Sequence, residues 1–279
     1  MGCAMRFIYG ISTSIFLERP LDVFEAILFA YRNNFSVLEI ICTAPDFKPN
    51  RIDPETRKQI REKALDYGLS LQLHAPFYSV NLADFDDDFR NLSLKLILDT
   101  IKLAYDIDAK IVTIHPGLCF LPCKLFYDKA IDILVQNIGY LVDIARENSV
   151  IISIETRAGN LDIGKPEEII HIFRKLNFPS ELGVTFDVVQ ANLMGNPVEV
   201  YRKLRKLIVN AHIRDAPRGK EDLLAVGEGE IDFPPLIKEF VNNRFFGPLI
   251  FEMSTPQRAL ISRARLEYIL MNVTSNRNK

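Results

Sequence analysis

Two apolar patterns take turns along the chain. Short, dense runs rich in Val, Ile, Leu and Phe are separated by longer segments in which apolar residues recur every three or four positions. The dense runs predict buried strands; the longer segments predict helices with one apolar face. Strands are expected at 6–12, 36–42, 69–75, 110–115, 150–156, 181–187, 209–214 and 248–252. Helices are expected between and after them, at about 20–33, 54–67, 89–106, 127–148, 166–176, 198–207, 232–242 and 256–272. Local punctuation agrees. Gly68 stands where a helix C-cap belongs, Pro76 and Pro116 stop two strands, and Pro166 suits a helical first turn. The run at 150–156 is apolar and β-branched enough for a sheet to bury on both faces.

Strands that alternate with helices imply a parallel sheet with right-handed crossovers. Eight such units in a chain of 279 residues fit a closed (β/α)8 barrel, an α/β fold. An open doubly wound sheet would carry a Gly-rich phosphate turn after the first strand, and Gly10-Ile11-Ser12 is not that motif. No linker or composition shift marks a second domain. Residues 1–279 therefore read as one barrel domain with a frayed tail at 274–279. The segment 215–229 is long, charged and Gly-containing, and reads as an active-site loop.

Composition narrows the function. The chain is 48% apolar and 25% charged, which supports an ordinary globular core. Its formal net charge of -2 argues against a protein that grips nucleic acid by bulk charge. No apolar run approaches the roughly 18 residues of a membrane span, and no secretory segment precedes the Cys residues at 3, 42, 119 and 123. The expectation is a cytoplasmic protein with unpaired thiols and no membrane partner. Cys119 and Cys123 lack a second Cys pair, so they read as small apolar fillers before metal ligands. Met1-Gly2-Cys3 is similar to an acylation signal, but Arg6 stands where Ser or Thr is required. Oligomeric state stays open.

The chemistry lies at the strand ends. Seven of the eight predicted strands carry an ionisable residue at or near the C-terminal end: Glu39, His74, His115, Glu155, Asp187, His212 and Glu252. His171 falls in mid-helix and reads as surface. Taken singly, each His has a bland reading as a satisfied core residue, and each carboxylate as a helix cap. A barrel brings all the C-terminal strand ends to one face. Carboxylates and imidazoles gathered there repel or desolvate one another unless a cation compensates. Oxygen and nitrogen donors suit a divalent ion such as Mn, Mg, Co or Zn, which polarises an oxygen or activates a water. Glu39 is a further member of the mouth, with a neighbouring Arg or Lys as its alternative partner.

The segments around these residues carry a family resemblance. They are His74-Ala75-Pro76, His115-Pro116-Gly117, Ile154-Glu155-Thr156, Gly183-Val184 to Asp187, His212-Ile213-Arg214-Asp215, Gly227-Glu228-Gly229-Glu230-Ile231-Asp232 and Phe251-Glu252. Their order and spacing resemble the xylose isomerase-like barrel superfamily, which includes endonuclease IV and sugar isomerases and epimerases. The resemblance implies a four-residue metal site of Glu155, Asp187, His212 and Glu252. It also implies that His74 and His115, sharing Glu155, could hold another zinc as in endonuclease IV. The third zinc of that enzyme finds no match. Its ligand positions fall on Gln190, about Glu221, and Leu223, which has no donor atom.

Two functions follow. The first is a metal-dependent isomerase or epimerase of a small sugar or sugar phosphate. By the resemblance, Glu155 and Glu252 move the proton next to the carbonyl through an enediolate, and His74, His115, Gln190 and Arg218 position hydroxyls. The second is a zinc phosphodiesterase acting on abasic DNA. His74 and His115 favour it; the unmatched third site and the acidic charge oppose it. Arg157, Arg214, Arg218 and Lys220 supply basic character for either, as a phosphate clamp or a solvated loop. Phe77, Tyr78 and Phe120 could wedge DNA or wall a sugar pocket.

Overall fold

The computed structural model describes residues 6–16, 19–43, 47–78, 80–120 and 124–275. Cys3, Cys123 and residues 276–279 lie outside them. The strands are β1 (Ile8–Ser12), β2 (Val37–Ile41), β3 (Ser70–His74), β4 (Ile111–Ile114), β5 (Gly117–Leu118), β6 (Ile151–Glu155), β7 (Asp162–Ile163), β8 (Leu182–Asp187), β9 (Ile208–Ile213) and β10 (Pro248–Phe251). Eight of them close a parallel barrel in the order β1-β10-β9-β8-β6-β4-β3-β2. The sequence pattern locates all eight to within about two residues. The two-residue strands β5 and β7 form a separate antiparallel ribbon beyond β4 and β6, too short for any periodicity to reveal.

Five of the helices begin where a short polar side chain takes up free backbone N–H groups. In α1 (Val23–Arg32) the Asp22 carboxylate accepts from Phe24 N and Glu25 N, and Val23, Ala26, Ile27 and Ala30 form the buried face. Asp53 caps α2 (Pro54–Asp66), whose end is followed by Gly68 at φ +65°. Asp86 caps α3 (Asp87–Ile107). α4 (Lys124–Glu147) and α5 (Pro166–Lys175) follow. The next helix has no counterpart in the sequence pattern. Asp187 ends β8 and at once caps α6 (Val188–Leu193), accepting from Gln190 N at 2.6 Å. Then come α7 (Pro197–Leu204), α8 (Phe233–Asn242) and α9 (Pro256–Ser275). Two further 3-10 turns cover Thr13–Phe16 and Pro49–Arg51.

The main apolar core lies between barrel and helices, where Phe186 on β8 meets Tyr201 and Phe240. The inward faces of several strands are polar. Thr185 Oγ1 lies 3.0 Å from Thr113 Oγ1 and 2.7 Å from Ser153 Oγ, so three strands share a buried hydroxyl layer. The 150–156 run is buried on both faces as expected, with a polar residue on its inner face. Side chains alternate across a strand, so Ser153 and Glu155 share the inner face of β6 while Ile152 and Ile154 turn outward. No helix among the described residues is long and apolar enough to cross a membrane.

Candidate metal centre and active site

The pleat that points Ser153 into the barrel also points Glu155, two residues on, into its mouth. Glu155 is buried, and its Oε2 lies 3.1 Å from His74 Nε2 and 2.9 Å from His115 Nε2. His74 Nδ1 sits 2.9 Å from the carbonyl of Ala75. A carbonyl only accepts, so Nδ1 carries the hydrogen and Nε2 is the atom left for Glu155 or a cation. Phe77 stacks on His115 with ring centroids 5.0 Å apart, and meets His74 edge-on. These contacts restrain both imidazoles.

His212 approaches from β9. Its Nε2 faces Glu39 Oε2 on β2 at 3.2 Å, and the same oxygen accepts from Gln72 Nε2 at 3.0 Å. All three side chains are buried. Glu39 therefore pairs with His212, and the alternative of an Arg or Lys partner is corrected. Among the described residues His212 Nδ1 has no hydrogen-bond partner, yet it lies 3.8 Å from Glu155 Oε1 and 3.7 Å from Glu252 Oε2. A buried, orphaned ring nitrogen facing two carboxylates is the arrangement that a bound cation resolves.

The electrostatics agree. Burial disfavours the Glu155 carboxylate, but His115, His212 and His74 outweigh it and hold its pKa well below the usual range. Burial likewise opposes charge on His212, yet Glu39 and Glu252 raise it well above the ordinary histidine value. Burial raises Asp187; Arg214 only partly offsets this. Two donor groups have mutually adjacent ligand atoms, within 4.8 Å of one another: His74, His115 and Glu155, and Glu155, Asp187 and His212. The residues present fit divalent cations, with Glu155 common to both groups.

The loop between β9 and α8 closes one side. Asp215 is its hub. It is buried, and its carboxylate accepts from the N–H groups of Ala216, Gly227, Gly229 and Ile231 at 2.8–3.2 Å. A Cβ on Gly229 would sit 2.3 Å from Asp215 Oδ1, so only glycine allows this approach. The spacing of Gly227 and Gly229 thus has a structural cause: both amides reach one carboxylate oxygen of Asp215, just past the end of β9.

Arg214 joins this loop to the carboxylates. Its Nε donates to Asp187 Oδ2 at 2.8 Å and lies 3.4 Å from Glu252 Oε2, while Nη2 donates to Glu221 Oε1 at 3.0 Å. Arg157 approaches the same Glu221 oxygen at 3.5 Å. A cavity of about 930 Å³ opens over the site. His74, His115, Glu155 and Glu252 line it, with Arg157, Arg214 and Glu221 on one side. Phe77, Tyr78 and Leu223 supply apolar wall, and the 3-10 turn after β1 brings Thr13 and Ser14.

The seven strand-end residues thus converge. Two other expected substrate contacts do not. Arg218 is exposed, and its backbone N–H donates to Glu230 Oε2 at 2.8 Å. Gln190 is buried on α6, and its Oε1 accepts from Ala158 N at 2.9 Å. Neither lines the cavity. Phe120 is exposed and also lies off the wall, and His171 is exposed as expected. Ser14 and the hub role of Asp215 escape the sequence reading. Their signals are the Ser12-Thr13-Ser14 hydroxyl run and the Gly spacing after Asp215.

Comparison with known proteins places this geometry among relatives. The sequence model of the xylose isomerase-like TIM barrel family matches residues 27–270. An uncharacterized protein of Methanocaldococcus jannaschii is 29% identical over 94% of this chain and 89% of its own length. A probable endonuclease 4 of Mycoplasmoides gallisepticum is 28% identical over 68% of this chain and 66% of its own. Among solved structures, a D-tagatose 3-epimerase-like protein superposes with a TM-score of 0.83 at 25% identity, over 96% of this chain and 98% of that one.

Proposed function

Since this chain belongs to the xylose isomerase-like TIM barrel family, we propose that it is a divalent-metal-dependent isomerase or epimerase of a small sugar or sugar phosphate. The observation that carries the reading is the pair Glu155 and Glu252. Both carboxylates line one cavity, and both approach His212 Nδ1 within 4 Å. Two carboxylates on a shared cavity can remove a proton from the carbon beside a carbonyl and return it. The likeness to a D-tagatose 3-epimerase-like protein supports the same chemistry.

Glu155, Asp187, His212 and Glu252 would hold the ion, with His74 and His115 available for a second. Bound there, a divalent ion supplies Lewis-acid stabilisation of negative charge developing on the substrate oxygens. The remaining work belongs to the chain. Ser14 Oγ is buried with no hydrogen-bond partner among the described residues and can bond a substrate hydroxyl. Phe77, Tyr78 and Leu223 give the cavity an apolar wall against which a substrate carbon can pack. Arg157 and Arg214 take the polar role expected from the sequence of Arg218 and Gln190.

The test is a panel of ketoses and ketose phosphates incubated in D2O with the Mn-, Co- or Zn-loaded protein. Deuterium should enter the carbon beside the carbonyl as the epimer forms. Absence of exchange across the panel defeats the proposal. A second reading rests on His74 and His115 both meeting Glu155 Oε2, and on relatives named as probable endonuclease 4. Nicking of an abasic-site duplex, with no sugar exchange, would establish that reading instead.

A further inference from the structure

Five carboxylates meet in this mouth: Glu39, Glu155, Asp187, Glu221 and Glu252. Two guanidiniums, Arg157 and Arg214, stand among them. With neutral imidazoles, five negative charges against two positive ones leave -3, and Asp162, 3.6 Å from Arg157, brings the set to -4. By either count one or two divalent ions leave the set near neutral or negative, and a third makes it at least +2. Charge balance therefore favours one or two ions.

The geometry gives the reason. The two donor groups share Glu155. Of the five carboxylates, Glu39, Glu221 and Glu252 lie outside those groups; Glu39 is held by His212, and Arg214 holds the other two together with Asp187 Oδ2. The Arg214 guanidinium has Nε on Asp187 and near Glu252, and Nη2 on Glu221. Arg214 is 5% exposed, and an arginine keeps its charge at every pH a protein tolerates. Leu223 borders the same side and offers no donor atom.

We infer that Arg214 is a built-in cation of the site, occupying the Glu221, Asp187 and Glu252 oxygens that a further ion would need, so that the chain takes at most two divalent ions. The inference rests on the metal-dependent reading above. It also sets a sign: the guanidinium competes with metal for Asp187 and Glu252, so removing it tightens metal binding there.

The experiment is a titration of the chelator-stripped full chain with Zn and Mn, read by calorimetry and by elemental mass spectrometry. Wild type, Arg214→Met and Arg214→Lys are compared. Wild type should saturate at one or two ions. Arg214→Met should bind an ion about tenfold more tightly or better, since a unit charge beside it has gone. Arg214→Lys keeps the charge and should stay close to wild type. Three ions in wild type would overturn the inference and leave the metal-dependent reading standing. Unchanged or weaker binding by a folded Arg214→Met would also overturn it. Should Arg214→Met not fold, the wild-type count decides. No ion in any of the proteins would sink both readings.

Discussion

Glu39 Oε2 on β2 and His212 Nε2 on β9 meet inside the barrel at 3.2 Å, with both side chains fully buried. The carboxylate can only accept, so it holds the hydrogen on Nε2 and leaves Nδ1 facing Glu155 and Glu252. Glu39 is therefore a positioning residue for the His212 donor atom. Glu39→Ala should weaken metal binding about 10–100-fold, and Glu39→Gln, which keeps an oxygen acceptor, should recover part of the loss. Calorimetric metal affinity checks this. Nitrogen chemical shifts of His212 should show loss of the single tautomer in Glu39→Ala. Wild-type affinity in Glu39→Ala would remove Glu39 from the site.

Glu155 is shared by both donor groups. Glu155→Gln should lower solvent exchange into the substrate by about 10²–10⁴-fold, the usual loss for a general acid–base group. Far-UV circular dichroism should remain that of the barrel. An active variant would take Glu155 out of the mechanism.

Metal binding should release protons. Burial opposes charge on His74, but Glu155 raises its pKa; His212 is raised further by Glu39 and Glu252. Raised groups hold their protons below the shifted pKa, and a metal takes only the neutral imidazole. Affinity should thus climb as pH rises through those values and level off above them. Calorimetry near neutral pH in buffers of different ionisation heat should count a net release. Zero release would contradict protonated imidazoles in the metal-free site.

Asp215 carries the mouth loop through four backbone hydrogen bonds. Asp215→Ala leaves those donors unmet and should cost about 2–4 kcal/mol. A lower Tm and new protease cleavage within 216–231 are the expected readouts. An unchanged digestion pattern would refute the hub role.

Local sequence was enough to set the order and kind of the barrel elements. Strand runs such as 150–156 and 110–115 are dense in β-branched residues, and each is followed by a helical repeat, so local pattern suffices there. It also marked which residues end the strands, because a carboxylate or imidazole after an apolar run stands out. The partners were chosen at long range. The Glu39–His212 contact spans 173 positions in sequence, and barrel closure creates it; no local pattern encodes it. Closure likewise sent Arg214 into the carboxylates and left Arg218 outside, though the two lie four positions apart. The difference between them is the direction of a side chain at the end of β9, which the pleat and the Asp215 turn fix only once the sheet has closed.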